Sequence, residues 1–107
     1  MNRLAWLAPS LLLAAPLLAG EPIPGERQQE LQNLLIQDCG SCHGLTMRGG
    51  LGPALLPDNL AGKPRDMLIN TVMNGRPGTA MPPWNALLSR EEAAWMIDRL
   101  RRGLDAP

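Results

Sequence analysis

Apolar residues recur at helical spacing in three parts of this chain, and nowhere do they alternate with a period of two. Leu31, Leu34 and Leu35 fall at i, i+3 and i+4 among Gln, Glu and Asn, which predicts a first helix over 25–38 that Gly40 should break. A second helix is predicted over about 65–74, opened by Pro64, closed by Gly75 and given an apolar face by Leu68, Ile69 and Val72. The last is the best marked. Ser89 is a good N-cap, and Glu92 three residues on completes a capping box. Arg99, Arg101 and Arg102 oppose the dipole in the last turn, and Gly103 follows. Ala93, Met96, Ile97, Leu100 and Leu104 share one face of this helix. Between the helices, 44–64 and 75–84 are rich in Gly and Pro and fit no period. A structureless stretch as long as 44–64 in a compact domain should wrap around something. The fold class is all-α, with long loops between helices.

The first twenty residues stand apart. Met1 to Arg3 is a short positive start, Leu4 to Leu18 is an apolar run broken by Pro9 and Pro16, and Ala19-Gly20 is a small-residue end. That is the anatomy of a secretory signal peptide, cleaved after Ala19 or Gly20. The alternative, an uncleaved anchor, would need roughly 20 apolar residues. A lipoprotein signal is excluded by Glu21, which stands where the lipidated cysteine would be. The expected division is therefore a signal peptide over 1–20 and one domain over 21–107, exported to the periplasm with no membrane anchor after cleavage.

Composition then narrows the chemistry. Past residue 20 the chain has nine basic and ten acidic side chains, so nothing points to nucleic acid. It has no Phe, no Tyr and, past residue 20, only Trp84 and Trp95, a thin supply for the core of so small a domain. Such chains usually need a staple. The only two cysteines and the only histidine lie together in "CGSCH", as Cys39, Cys42 and His43. A disulfide between Cys39 and Cys42 would close almost no loop and add little. Structural zinc needs about four ligands, and only three candidates exist. A C-x-x-C thiol-disulfide oxidoreductase is expected on a βαβ scaffold, and no strand pattern is present. The C-x-x-C-H pattern of c-type haem attachment fits each of these observations. Two thiols bond the vinyl groups, His43 ligates the iron, and the haem gives the long loop something to wrap. Such an attachment turn often prolongs the preceding helix by a few residues.

With a single histidine, the sixth iron position falls to a methionine thioether. Met47 lies four residues after His43 and is tethered to the same side of the ring. Met67 and Met73 sit on the middle helix and Met96 on the last, where core packing explains each. Met81 sits in "GTAMPPW", a proline-stiffened loop with no helical face to fill, and it is the expected ligand, with Met73 in reserve. The remaining ring N–H of His43 needs an acceptor, and the carbonyl of Pro53 or a neighbour in "GLGP" is placed to provide it.

With Cys39-x-x-Cys42-His43, Gly52-Pro53, "GTAMPPW" and a closing amphipathic helix, the chain resembles a class I cytochrome c. Within that class "CHGLTMRGGLGPALL", "GTAMPPWNALL" and "EEAAWMIDRLRRG" are most similar to cytochrome c-55X, small periplasmic monohaem proteins of denitrifying bacteria. The resemblance implies three main helices around one covalent haem c on Cys39 and Cys42, with His43 and Met81 as axial ligands. It also implies single-electron transfer rather than enzyme catalysis. The partner would be the haem-cd nitrite reductase or an enzyme of haem d maturation. Trp84 and Arg76 are candidates for contact with the haem propionates. The family usually places an apolar residue where this chain has Glu92, so the contact of first and last helices should differ in detail. Trp95 is expected to pack on the first helix near Leu31 and Leu35, the alternative being an exposed aromatic. The rival from another class is a haem enzyme or gas sensor with an open or labile sixth iron position.

Overall fold

A computed structural model describes residues 5–11 and 22–105. The proposed cleavage site at Ala19-Gly20 lies outside the described residues. Residues 5–11 carry no helix, and Trp6, Leu7 and Leu11 are exposed. Among the described residues no helix is long and apolar enough to cross a membrane, and none forms a strand.

The elements are α1 (Gly25–Leu34), a π-helical turn (Leu35–Cys39), α2 (Gly40–His43), α3 (Pro57–Leu60), α4 (Arg65–Asn74) and α5 (Arg90–Arg102). The first three run on as one rod. Gly40 does not break the helix as its residue type suggested; it is helical at φ −62° and ψ −26°, and its N–H reaches back to Leu35 O. That five-residue reach widens the turn and shifts the face of everything after it. Gly40 instead suits a close approach, since a Cβ there would lie 3.3 Å from Leu45 Cα and Cδ2, tighter than ordinary contact. The rod ends at His43, and the chain leaves it at Gly44 with φ 91°. Within the 44–64 stretch, Pro57 at a first helical position starts the short α3, which aperiodic sequence did not reveal.

Helix α5 is the hub, packing against α1, α3 and α4. Ala93, Met96, Ile97 and Leu100 are buried on its inner face. They meet Leu31 and Leu35 from the first rod, Leu68 and Ile69 from α4, Leu60 from α3, and Leu88 and Met47 from loops. Trp95 and Trp84 are half-buried and pack against this core.

The capping box forms as its sequence implied. Ser89 Oγ accepts from Glu92 N at 3.1 Å, and Glu92 Oε1 accepts from Ser89 N at 2.9 Å. The second oxygen of Glu92 accepts from Arg27 Nε on α1, and Arg27 also reaches Glu30 at 2.8 Å. A charged clasp therefore joins first and last helices where the resemblance to class I cytochromes c implies an apolar contact. Arg65 makes a second tie, a forked pair from α4 to Asp98 of α5 at 2.8 and 2.9 Å.

Arg27 and the Ser89 N–H hold the Glu92 carboxyl below its ordinary value, and Arg65 does the same for Asp98. A carboxyl whose pKa falls on folding adds stability above its unfolded value and loses it as pH drops through the folded one. Glu92→Gln keeps a cap acceptor but removes the charge. It is expected to melt a few degrees below wild type at pH 7. In thermal melts well below pH 4, where the wild-type carboxyl is itself protonated, that gap should close. A gap that persists unchanged in acid would remove the charge from the account.

Candidate haem site

The site is built on the last turn of the first rod. Cys39 ends the π-helical turn, Cys42 and His43 lie in α2, and all three are half-buried. The thiols are not joined to each other. Burial, and then the neighbouring Asp38 carboxylate, push the Cys39 thiol up to about 11. A nucleophilic C-x-x-C cysteine needs the opposite, a thiolate favoured by a helix N-terminus or nearby cations. Cys39 sits at the carboxyl end of a long helical rod, so the geometry speaks against thiol-disulfide exchange.

His43 is fixed from two sides. Its Nδ1 lies 2.7 Å from Pro53 O, and a carbonyl only accepts, so Nδ1 carries the proton. The lone pair is then on Nε2, the tautomer a metal needs. The ring also rests on Gly52, where a Cβ would come within 2.8 Å of both Cε1 and Nδ1. The strand of loop that supplies these contacts is pinned to the attachment helix. Gly49 N donates to His43 O at 2.8 Å and Gly52 N to Cys42 O at 2.7 Å. The wording "GLGP" pointed to a carbonyl acceptor. That Gly52 is a bare floor beneath the ring appears only in three dimensions.

The methionines separate by burial. Met47 and Met96 lie in the core, each 2% exposed, so packing accounts for both. Met67 is exposed on α4, and Met73 is half-buried at its end. Met81 is half-buried in a loop held by backbone hydrogen bonds together with the Thr79 hydroxyl and the Asn85 amide. Arg76 N donates to Met81 O at 3.2 Å, and Thr79 Oγ1 accepts from Met81 N at 3.3 Å. Thr79 in turn donates from N and Oγ1 to Arg76 O, at 3.0 and 2.7 Å. Beyond the two prolines, Trp84 N donates to Val72 O and Asn85 Nδ2 to Met73 O, which moors the loop to α4. Arg76 is exposed and Trp84 half-buried. The donor set fits haem c: two thiols at attachment spacing, one imidazole with Nε2 available, and a thioether on a stiff loop. Among the described residues no group of three or more His, Cys, Asp or Glu side chains offers a site for a bare metal ion.

Residues 26–98 match the family model described as cytochrome c oxidase, cbb3-type, subunit III. Over 104 residues the chain is 57% identical to cytochrome c55X of Pseudomonas aeruginosa, covering 95% of this chain and 87% of that protein. The chain belongs to the cytochrome c55X family. As a c-type cytochrome it carries haem c, bound covalently, and serves electron transfer. A solved structure described as the c-type cytochrome NirC matches this cytochrome with a TM-score of 0.76 at 58% identity. It covers 79% of this cytochrome and 100% of that chain. Over 79 residues this cytochrome is also 42% identical to the dihydro-heme d1 dehydrogenase of Pseudomonas aeruginosa. That span is 74% of the cytochrome but 15% of the dehydrogenase.

Proposed function

We propose that this cytochrome is a periplasmic single-electron carrier, not an enzyme, with haem c on Cys39 and Cys42 and with His43 and Met81 as axial ligands. The observation that carries the reading is the state of the lone histidine. Its Nδ1–H is committed to Pro53 O at 2.7 Å, so Nε2 alone is left to bind iron. Haem supplies one-electron chemistry, and a methionine ligand raises its potential. The chain's part is to hold both ligands on braced loops, which favours transfer over chemistry at an open iron. Leu51, 91% exposed, stands beside the attachment helix on the loop bonded to Cys42 and His43. It offers an apolar contact for a redox partner, of the small and transient kind. Arg76 and Trp84, flanking the Met81 loop, are the candidate propionate contacts.

The partner belongs to the nitrite reductase and haem d1 system. Supporting this, one relative named a dihydro-heme d1 dehydrogenase includes a stretch of this kind within a much longer chain. Dehydrogenation releases two electrons and two protons, so a one-electron carrier must take up the electrons in separate visits. Transfer to a haem-cd nitrite reductase uses the same docking contact in the opposite sense.

Met81→Ala is expected to keep the covalent pigment on a denaturing gel and to lose the methionine-to-iron charge-transfer band. Its midpoint potential should fall, because thioether ligation favours the ferrous state. An unchanged resting spectrum would overturn Met81 as ligand and favour the open-site sensor reading. Stopped-flow mixing with purified nitrite reductase, and separately with the dehydrogenase, tests the partners. Transfer no faster than with an unrelated cytochrome would dismiss that partner.

A further inference from the structure

The loop that orients His43 is held by backbone hydrogen bonds to the attachment helix and by very little side-chain packing of its own. Across 44–54 a single residue is buried, Met47, at 2% exposure. Met47 is also the one described non-glycine residue with positive φ, at 61°. A long side chain persists in that left-handed conformation only where its surroundings over-determine it. Here the surroundings are the core cluster that also contains Leu31, Leu35 and Met96.

Its backbone has a distinct task. Met47 N donates to Gly44 O and Met47 O accepts from Leu55 N, both at 2.9 Å. The two ends of the loop are thereby drawn together around Met47, and 48–53 is thrown back over the attachment helix. The returning segment delivers the Gly52 N–H to Cys42 O and the Pro53 carbonyl to His43 Nδ1.

We propose that Met47 is a positioning residue for the iron. Its buried side chain anchors the loop whose Pro53 carbonyl fixes the tautomer and the electron density of the His43 ring. The inference rests on His43 as iron ligand. A hydrogen bond at Nδ1 raises the basicity of the ligating imidazole and so favours ferric iron. Loosening the anchor weakens that bond, and the potential rises. A methionine that merely filled core volume would have no such reach.

The single histidine makes the test direct, because selective 15N-histidine labelling gives one ring system in the spectrum of the ferrous cytochrome. Met47→Gly suits the backbone but removes the anchor. It should speed solvent exchange of the His43 Nδ1–H about tenfold or more and raise the midpoint potential. Met47→Leu should hold both near wild type. Glu92→Gln, which loosens the clasp to Arg27 and lies outside this cluster, should lower thermal stability while leaving both at wild type. If Met47→Gly fails to accumulate, Met47→Ala is read by the same two measurements. Exchange and potential unchanged in the truncated variant, or shifted equally in Glu92→Gln, would overturn the proposal. Failure of the underlying reading looks different. Wild-type His43 ring signals would then lack the large upfield displacement that a haem ring imposes on its axial ligand.

Discussion

Gly75→Ala is expected to cost about 3 kcal/mol or more and to detach Met81, the proposed ligand, from the iron while leaving the haem covalently bound. Gly75 closes α4 at φ 68° and ψ −170°, a region open in practice to glycine alone. A Cβ would also fall 2.7 Å from Met81 O, 2.8 Å from Pro82 C and 2.8 Å from Pro83 N. Those are backbone atoms of two consecutive prolines and the residue before them, so no flexible side chain can yield. The next residue already grips the same carbonyl, through Arg76 N to Met81 O. The loop must therefore lift away from α4. Thermal melts should show the loss, and the methionine-to-iron band should fade. Gly78→Ala serves as comparison, because Gly78 has φ 78° but nothing within 4 Å of its would-be Cβ. It bears the conformational penalty alone, about 1–2 kcal/mol, and should retain the band. Equal behaviour of the two variants would show that the close approach of Gly75 to Met81 is not what holds the loop.

Gly52→Ala should strike the other side of the iron. Its Cβ would meet His43 Cε1 and Nδ1 at 2.8 Å and Nε2 at 3.3 Å. The ring cannot swing away without giving up Pro53 O, and the loop cannot back off without breaking Gly52 N to Cys42 O. Crowding of this kind costs about 1–3 kcal/mol in well-packed sites. The expected result is a lower yield of haem-bearing protein, a lower melting temperature and an altered ferric spectrum. A variant matching wild type in spectrum, potential and stability would mean that the ring is not seated where the fold puts it.

Sequence and fold agree most closely where the signal is local. Helix α5 was legible to its cap because Ser89 and Glu92 act over one turn, and α4 because Pro64 and Gly75 bracket a short apolar stripe. The C-x-x-C-H motif stands out because its five residues are adjacent, and the fold sets them on the last turn of the first rod. Gly40 misled, since a glycine's weak helix propensity lost to the continuity of the rod and to close packing beside Leu45. Helix α3 has four residues and shows no period in sequence. The clasp from Glu92 to Arg27 joins residues 65 apart, so sequence could mark only that an apolar partner was missing. Met47 reads in sequence only as a methionine tethered to the same side of the ring as His43; that its side chain is buried in the core shows only in the path of the loop.

Leu51 carries one more consequence, for throughput. As the proposed contact, a side chain 91% exposed at the tip of a narrow loop would bury little area against any partner, and the encounter would be correspondingly brief. Weak holding is useful to a courier that delivers one electron per visit. Bound lifetimes near the short end of the known range, about a millisecond, would keep departure from limiting the flow. A tighter grip at this tip would slow the traffic it was meant to help.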